Sequence, residues 1–211
     1  MSKDIVRTEI SLGFTETKFQ NGIHMCYIYN DDTERKSVMS RYVESGLVSG
    51  EKVAYFADVA TESDIDGYMK ELGVEVSKYA GTKQLVARMN SPVYCPDGTF
   101  IPDRMLSLLK DFFFASLDEG FNLIRASGEM GWALKDTIDK KRLIEYESRI
   151  NILFNEYPIT GICQYDATKF DGGTIFDVLS VHPLMVVRGN ILYNPYYIKP
   201  EVFLQRYSVN Q

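Results

Sequence analysis

Gly22-Ile23-His24-Met25-Cys26-Tyr27-Ile28-Tyr29-Asn30-Asp31-Asp32-Thr33-Glu34-Arg35-Lys36-Ser37, with Gly50-Glu51-Lys52-Val53-Ala54-Tyr55-Phe56-Ala57-Asp58 a short helix-length further on, decides the fold of this chain. His24 to Tyr29 is almost continuously apolar, as a strand covered on both faces must be. From Thr33 to Ser49, Val38, Met39, Tyr42, Val43, Gly46 and Leu47 recur on one stripe at helical spacing. Lys52 to Ala57 then reads as a second buried strand. Strand, loop, helix and strand in this order open a phosphate-binding α/β unit. The loop lacks the matching chemistry. Asn30 to Ser37 holds no glycine to let backbone amides close around a phosphate, and Asp31, Asp32 and Glu34 would repel one. The segment predicts the scaffold of a nucleotide-binding domain without its nucleotide site.

Outward from this segment the alternation continues. A helix is expected over Glu62 to Leu72, stopped by Gly73, and a strand over Gln84 to Met89. Asn90 to Thr99, with Pro92 and Pro96, reads as a loop or an edge excursion. A helix from Pro102 to Glu119 carries Met105, Leu108, Leu109, Phe112 and Phe113, and Phe121 to Ser127 is the next strand. A helix from Asp136 to Tyr157 leads into strand Ile159 to Tyr165. A short helix over Gly173 to Val181, strands over Leu184 to Val187 and Ile191 to Tyr193, and a helix after Pro200 complete the chain. This order predicts a mainly parallel sheet with helices on both faces. Ligands of such sheets sit beyond the carboxyl ends of the strands, which points to Asn30, Asp58, Glu129 and Asp166.

The 211 residues, 45% hydrophobic and 13% aromatic, suffice for one well-buried domain, and no linker, repeat or low-complexity stretch divides residues 1–211. A net charge of -6 and a pI near 5.0 speak against direct binding of nucleic acid. Lys140-Lys141-Arg142 is read as a solvated helix face. Met1 to Ile5 shows no apolar signal region and no segment approaches a membrane span, so the cytoplasm is the expected location. Cys26, Cys95 and Cys163 are expected as free thiols, since no Cys-x-x-Cys spacing occurs.

His24 and Cys26 lie two apart on a strand and therefore share a face. They could form a ligand-sensing pair, half of a metal site, or a nucleophile with its base. Glu147 fills the open position in the stripe Leu143, Ile150, Phe154 and Tyr157, so its carboxylate faces the core and needs a partner, for which Arg125 is the natural candidate. Cys163 and Tyr165 share one face of a strand end, with Gln164 on the other. His182 follows Ile175, Val178 and Leu179 at helical spacing and faces inward at a helix end. A Cys2His2 zinc set from His24, Cys26, Cys163 and His182 fits by ligand type, but three of the four would come from strands, and neither metal nor cofactor is expected. No Gly-x-Ser-x-Gly elbow marks a hydrolase.

Taken together, the Gly22 to Tyr29 run, Gly128-Glu129-Met130-Gly131-Trp132-Ala133-Leu134, Tyr146-Glu147, Ile162-Cys163-Gln164-Tyr165-Asp166 and His182-Pro183 resemble the MEDS family, the methanogen/methylotroph DcmR-type sensory domain, over residues 20–200. The resemblance implies a non-catalytic sensor of simple hydrocarbon derivatives in prokaryotic signalling or transcription regulation. Gly46-Leu47, Gly50 to Tyr55 and Leu72-Gly73-Val74-Glu75 are more distantly similar to RecA/KaiC-type ATPases, whose acidic pair falls here on Val59 and Ala60. Alternatives are an enzyme using Cys26 or Cys163 with His24 as base, and a scaffold for another protein or a second copy of the chain. The expected ligand site gathers His24, Cys26, Tyr29, Glu129, Trp132, Glu147, Cys163, Gln164, Tyr165 and His182 at the carboxyl edge of the sheet, with Trp132 as wall or lid.

Overall fold

Seven strands form the central sheet of the computed structural model, which describes residues 7–79 and 81–209; Met1 to Ile5, read above for a signal, lies outside the described residues. In chain order the strands are β1 (Glu9–Ser11), β2 (Lys18–Gln20), β3 (His24–Tyr29), β4 (Lys52–Ala57), β5 (Leu85–Met89), β6 (Ile124–Glu129), β7 (Ile159–Asp166), β8 (Leu184–Val187) and β9 (Asn190–Tyr193). The helices are α1 (Asp32–Val48), α2 (Ile65–Glu71), α3 (Asn90–Tyr94), α4 (Pro102–Asp118), α5 (Lys140–Glu156), α6 (Gly172–Val181) and α7 (Pro200–Val209). The sheet runs β5-β4-β6-β7-β3-β8-β9, parallel throughout except for the β8/β9 pair, and β1 pairs with β2 in a separate antiparallel hairpin. This is the α/β architecture anticipated from the strand and helix alternation.

Because side chains alternate across a strand, each strand feeds two cores. Cys26, Ala54, Phe56, Ala126, Cys163 and Tyr165 face one layer, where α4, α5 and α6 supply Leu109, Phe113, Leu143, Ile150 and Val178. Met25, Tyr27, Val53, Tyr55 and Ile162 face the other, closed by Val38, Met39, Tyr42 and Val43 of α1 and Met69 of α2.

The same alternation corrects one pairing. Arg125 points to the α1 side of β6, whereas Glu147 sits on α5 across the sheet. Arg125 pairs instead with Glu51, Nε to Oε2 at 2.7 Å with a second bond from Nη2 to Oε1. Its Nη1 also donates to the Tyr42 carbonyl at 2.6 Å, and the guanidinium lies 4.7 Å from the Tyr42 ring. A Cβ at position 46 would fall 2.6 Å from Arg125 Nε, so glycine is what lets α1 pass over the arginine.

Three boundaries also differ from expectation. Asn90 to Tyr94 is a helical turn rather than a loop, held by Asn90 Nδ2 donating to the Glu129 carbonyl at 2.8 Å and by Tyr94 stacking on Trp132. α5 starts at Lys140, where the Asp139 carboxylate caps the Lys141 amide at 2.9 Å, and Met130–Leu134 form a separate 3-10 turn. β6 starts at Ile124, because Phe121 still donates to the Ser116 carbonyl that closes α4. Lys140, Lys141 and Arg142 are exposed, as a solvated face requires.

Removing Glu51 strands a wholly buried guanidinium. Glu51→Ala should lower unfolding free energy by about 3–5 kcal/mol, read from urea melts. A loss below about 1 kcal/mol would show that the pair does not clamp β6 to the β4 entrance.

Candidate functional site

The residues singled out in the sequence divide between the two faces of the sheet, so no single crevice gathers them. On the α1 side, Glu129 ends β6 and Gln164 lies beside it on β7. Both meet Arg35 of α1: Nη1 lies 3.0 Å from Glu129 Oε1 and 3.2 Å from Gln164 Oε1. Tyr55 donates to Glu129 Oε1 at 2.7 Å, Tyr68 donates to the same oxygen, and the Asp58 amide donates to Oε2 at 2.9 Å. Tyr29 is half-buried beside this network, with its ring 5.4 Å from the Arg35 guanidinium. Arg35 was not singled out in the sequence, although it stands at helical spacing before the buried stripe of Val38, Met39 and Tyr42.

The opposite face holds the second group. Glu147, fully buried on α5, sets Oε2 3.2 Å from His24 Nε2, 3.3 Å from His182 Nε2 and 3.5 Å from Cys163 Sγ. His24 Nε2 is also 3.4 Å from Cys163 Sγ, and Tyr165 donates to Glu147 Oε1 at 2.6 Å. Four elements supply these groups: β3 gives His24, β7 gives Cys163 and Tyr165, α5 gives Glu147, and the end of α6 gives His182. The register explains the meeting, since Gly161 pairs with His24 and leaves Cys163 two residues further along the same face. Gly161 is needed there, because a Cβ would fall 2.5 Å from the Phe154 ring.

Both imidazoles are oriented from behind. The carbonyl of Val178 accepts from His182 Nδ1 at 2.7 Å. Asn151, one helical turn beyond Glu147, uses its Nδ2 on the carbonyls of Glu147, Ser148 and Val181, which leaves its Oδ1 to accept from His24 Nδ1 at 3.3 Å. Burial, and then the neighbouring His182, lower the His24 imidazole to about 4. Burial, and then Glu147, raise the Cys163 and Cys26 thiols above their ordinary value. Cys26 shares the face of His24 but donates to the Leu184 carbonyl at 3.7 Å, outside the cluster.

Two spaces reach His24. Inward is an apolar cavity of about 20 Å³ bounded by Phe56, Tyr94, Tyr146, Ile150 and Phe154, with His24 and Cys163 in its wall. Outward is a cleft of about 530 Å³ lined by His24, Asn151, Asn155, Pro183 and Tyr197. Trp132 forms neither wall nor lid: it is buried in the core, stacked on Tyr94 at 4.6 Å and tilted against Phe100. The polar cluster thus sits beneath the sheet, not at its carboxyl edge, because His24 is the first residue of β3 and His182 precedes the start of β8.

Comparison with known proteins bears on the family and the fold. The transcriptional repressor DcmR of Methylorubrum extorquens is 27% identical over 160 residues, which cover 75% of this chain and 57% of the repressor. The chain therefore spans little more than half the length of that curated relative. A KaiC-like protein of Pyrococcus horikoshii superposes with a TM-score of 0.60 at 12% identity, over 85% of this chain and 80% of its own. An uncharacterized protein of the same archaeon, solved with an unknown peptide, gives 0.62 at 14% identity over 80% and 78%. These two likenesses are of fold, and they establish the RecA-like architecture. The description MEthanogen/methylotroph, DcmR Sensory domain matches residues 23–183, which include His24, Glu147, Cys163 and His182, and the chain belongs to this MEDS family.

Proposed function

We propose that the chain is the sensing element of a regulatory system, binding a small, weakly polar molecule without transforming it. The observation that carries this reading is the small apolar cavity walled on one side by His24 and Cys163. At about 20 Å³ it exceeds the roughly 10–15 Å³ that one water needs, which limits an occupant to a few heavy atoms unless the walls relax. Aromatic rings supply an apolar surround and His24 and Cys163 form a polar side, a division usual in small-ligand sites. Halogenated or methylated one-carbon compounds fit this chemistry. The relationship to a transcriptional repressor supports control of transcription as the output.

Nucleotide chemistry is disfavoured on the other face. Only Asn30 and Asp31 separate β3 from α1, too short a link to wrap a phosphate. The Asp31 carboxylate already takes the Glu34 amide at 2.7 Å, an amide that would otherwise face an anion. Arg35 is committed to Asp32, Glu129 and Gln164. Catalysis by cysteine is disfavoured because both Cys26 and Cys163 are buried and their thiols are held protonated by burial.

Two measurements follow. Calorimetry with Mg-ATP should give no saturable heat, and a dissociation constant in the low micromolar range would contradict the loss of the nucleotide site. Trp132 is the only tryptophan and stacks on Tyr94, a wall of the cavity, so its fluorescence reports occupancy. Titration with a dihalomethane should shift that emission in the native chain. Ala126→Val, which fills the cavity from β6, should keep the native circular dichroism and abolish the shift. A shift unchanged in Ala126→Val would place the ligand elsewhere.

A further inference from the structure

The cluster beneath β3 and β7 has acceptors facing acceptors. His182 Nδ1 is bonded to a carbonyl, which can only accept, so that nitrogen carries the hydrogen and the neutral ring presents a lone pair at Nε2. His24 is in the same state, because Asn151 is fixed with its oxygen towards Nδ1. Both Nε2 atoms therefore lie against Oε2 of Glu147, itself an acceptor, at 3.2 and 3.3 Å. His182 Nε2 is fully buried and has no hydrogen-bond partner among the described residues. The thiol of Cys163 can supply one hydrogen, to His24 or to Glu147, and leaves the other contacts unmatched.

We propose that His24, Glu147, Cys163 and His182 form a four-ligand site for a divalent transition metal of the zinc class. One imidazole nitrogen from each histidine, one carboxylate oxygen and one thiolate would point at a shared centre, turning mutual repulsion into coordination. A zinc ion held at about 2.0–2.2 Å by nitrogen and oxygen and about 2.3 Å by sulfur sets tetrahedral ligand atoms about 3.3–3.6 Å apart. Four of the ligand-to-ligand separations here are 3.2, 3.3, 3.4 and 3.5 Å, and all lie within 4.8 Å. The soft thiolate and two imidazoles favour zinc-like ions over magnesium or calcium.

The surrounding groups match what metal-bound ligands need. Each histidine donates its second nitrogen to an oxygen, and Tyr165 donates to the carboxylate oxygen not used on the metal. His24 and Asn151 also line the outer cleft, so the cluster lies one side-chain layer from solvent and an ion would enter by displacement of that layer. With Glu147 and Cys163 ionised, the ligands carry two negative charges, which a dication neutralises inside the core. This departs from the expectation of no metal, and the set differs from the Cys2His2 combination weighed there: Glu147 replaces Cys26, whose thiol is turned to the Leu184 carbonyl. The inference stands whichever small molecule the neighbouring cavity takes.

The test uses the full chain, stripped with chelator and titrated with cobalt(II) as a spectroscopic substitute. The expected result is uptake of one equivalent, with the visible bands of a tetrahedral ion and a near-ultraviolet thiolate-to-metal charge-transfer band. Cys163→Ser should lose the charge-transfer band. Asn151→Ala keeps all four ligands and should bind about 10–100-fold more weakly, the usual consequence of losing an outer partner of a ligating histidine. Circular dichroism checks that each variant is folded, and the native chain with Asn151→Ala decides the matter if Cys163→Ser is not. Absence of stoichiometric cobalt uptake by the folded native chain, unchanged affinity in Asn151→Ala, or a charge-transfer band that survives Cys163→Ser would overturn the proposal.

Discussion

A carboxylate buried without a permanent cation is the constraint on which this molecule turns. Glu147 has no exposed surface, and the basic side chains that reach it among the described residues are two histidines. Burying an uncompensated carboxylate costs several kcal/mol, so the surrounding chain is organised to meet that charge. Three other secondary-structure elements converge on it. Tyr165 and Cys163 approach from β7, His24 from β3 and His182 from the end of α6, while Asn151 holds His24 from behind and ties α5 to the Val181 carbonyl. The other face of the sheet meets the same difficulty differently. Glu51 and Glu129 each have an arginine, Arg125 and Arg35, placed within hydrogen-bonding distance. Those pairs are complete in themselves and hold α1 to the sheet. The Glu147 cluster is complete only with a cation at its centre, which separates a binding site from a strut.

The fold is RecA-like, and the link that follows β3 is closed to a phosphate. Asn30 and Asp31 join β3 directly to the capped start of α1, and Arg35 fills the space beyond β6 and β7 with a charge already matched. The proposed binding chemistry lies instead in the layer under α5 and α6. There the cavity and the outer cleft share His24 as a common wall. His182 caps α6, and Asn194 donates to its carbonyl at 2.8 Å, so the cluster is mechanically joined to the segment leading into α7. A sensor needs such a link between an interior site and a surface that can report on it.

Much of this was legible in the sequence, and the misses have physical causes. The apolar run His24 to Tyr29 and the stripe through α1 fixed the start of the sheet, because burial on both faces leaves a strand little room for polar residues. Glu147 was legible as an inward carboxylate because an amphipathic helix leaves few open core positions. Its partner was misassigned. Strand alternation places Arg125 with Ser127 and Glu129, but which face α5 covers depends on the crossover, and a linear reading does not contain it. The meeting of His182 with His24 has the same origin, being set by the return of the chain from α6 into β8 beside β3. The β1/β2 hairpin was missed since three-residue strands give no periodic signal. Asn90 to Tyr94 was read from its prolines as irregular, yet Pro92 sits in the first turn of a short helix where its missing amide hydrogen is harmless.

The most direct measurement is anomalous X-ray diffraction from crystals of the full chain grown with zinc, recorded on both sides of the zinc absorption edge. The account predicts a single strong anomalous peak inside the core, at bonding distance from His24 Nε2, His182 Nε2, Glu147 Oε2 and Cys163 Sγ. A well-ordered crystal with no anomalous density between these four atoms, or with zinc bound only at the surface, would contradict it.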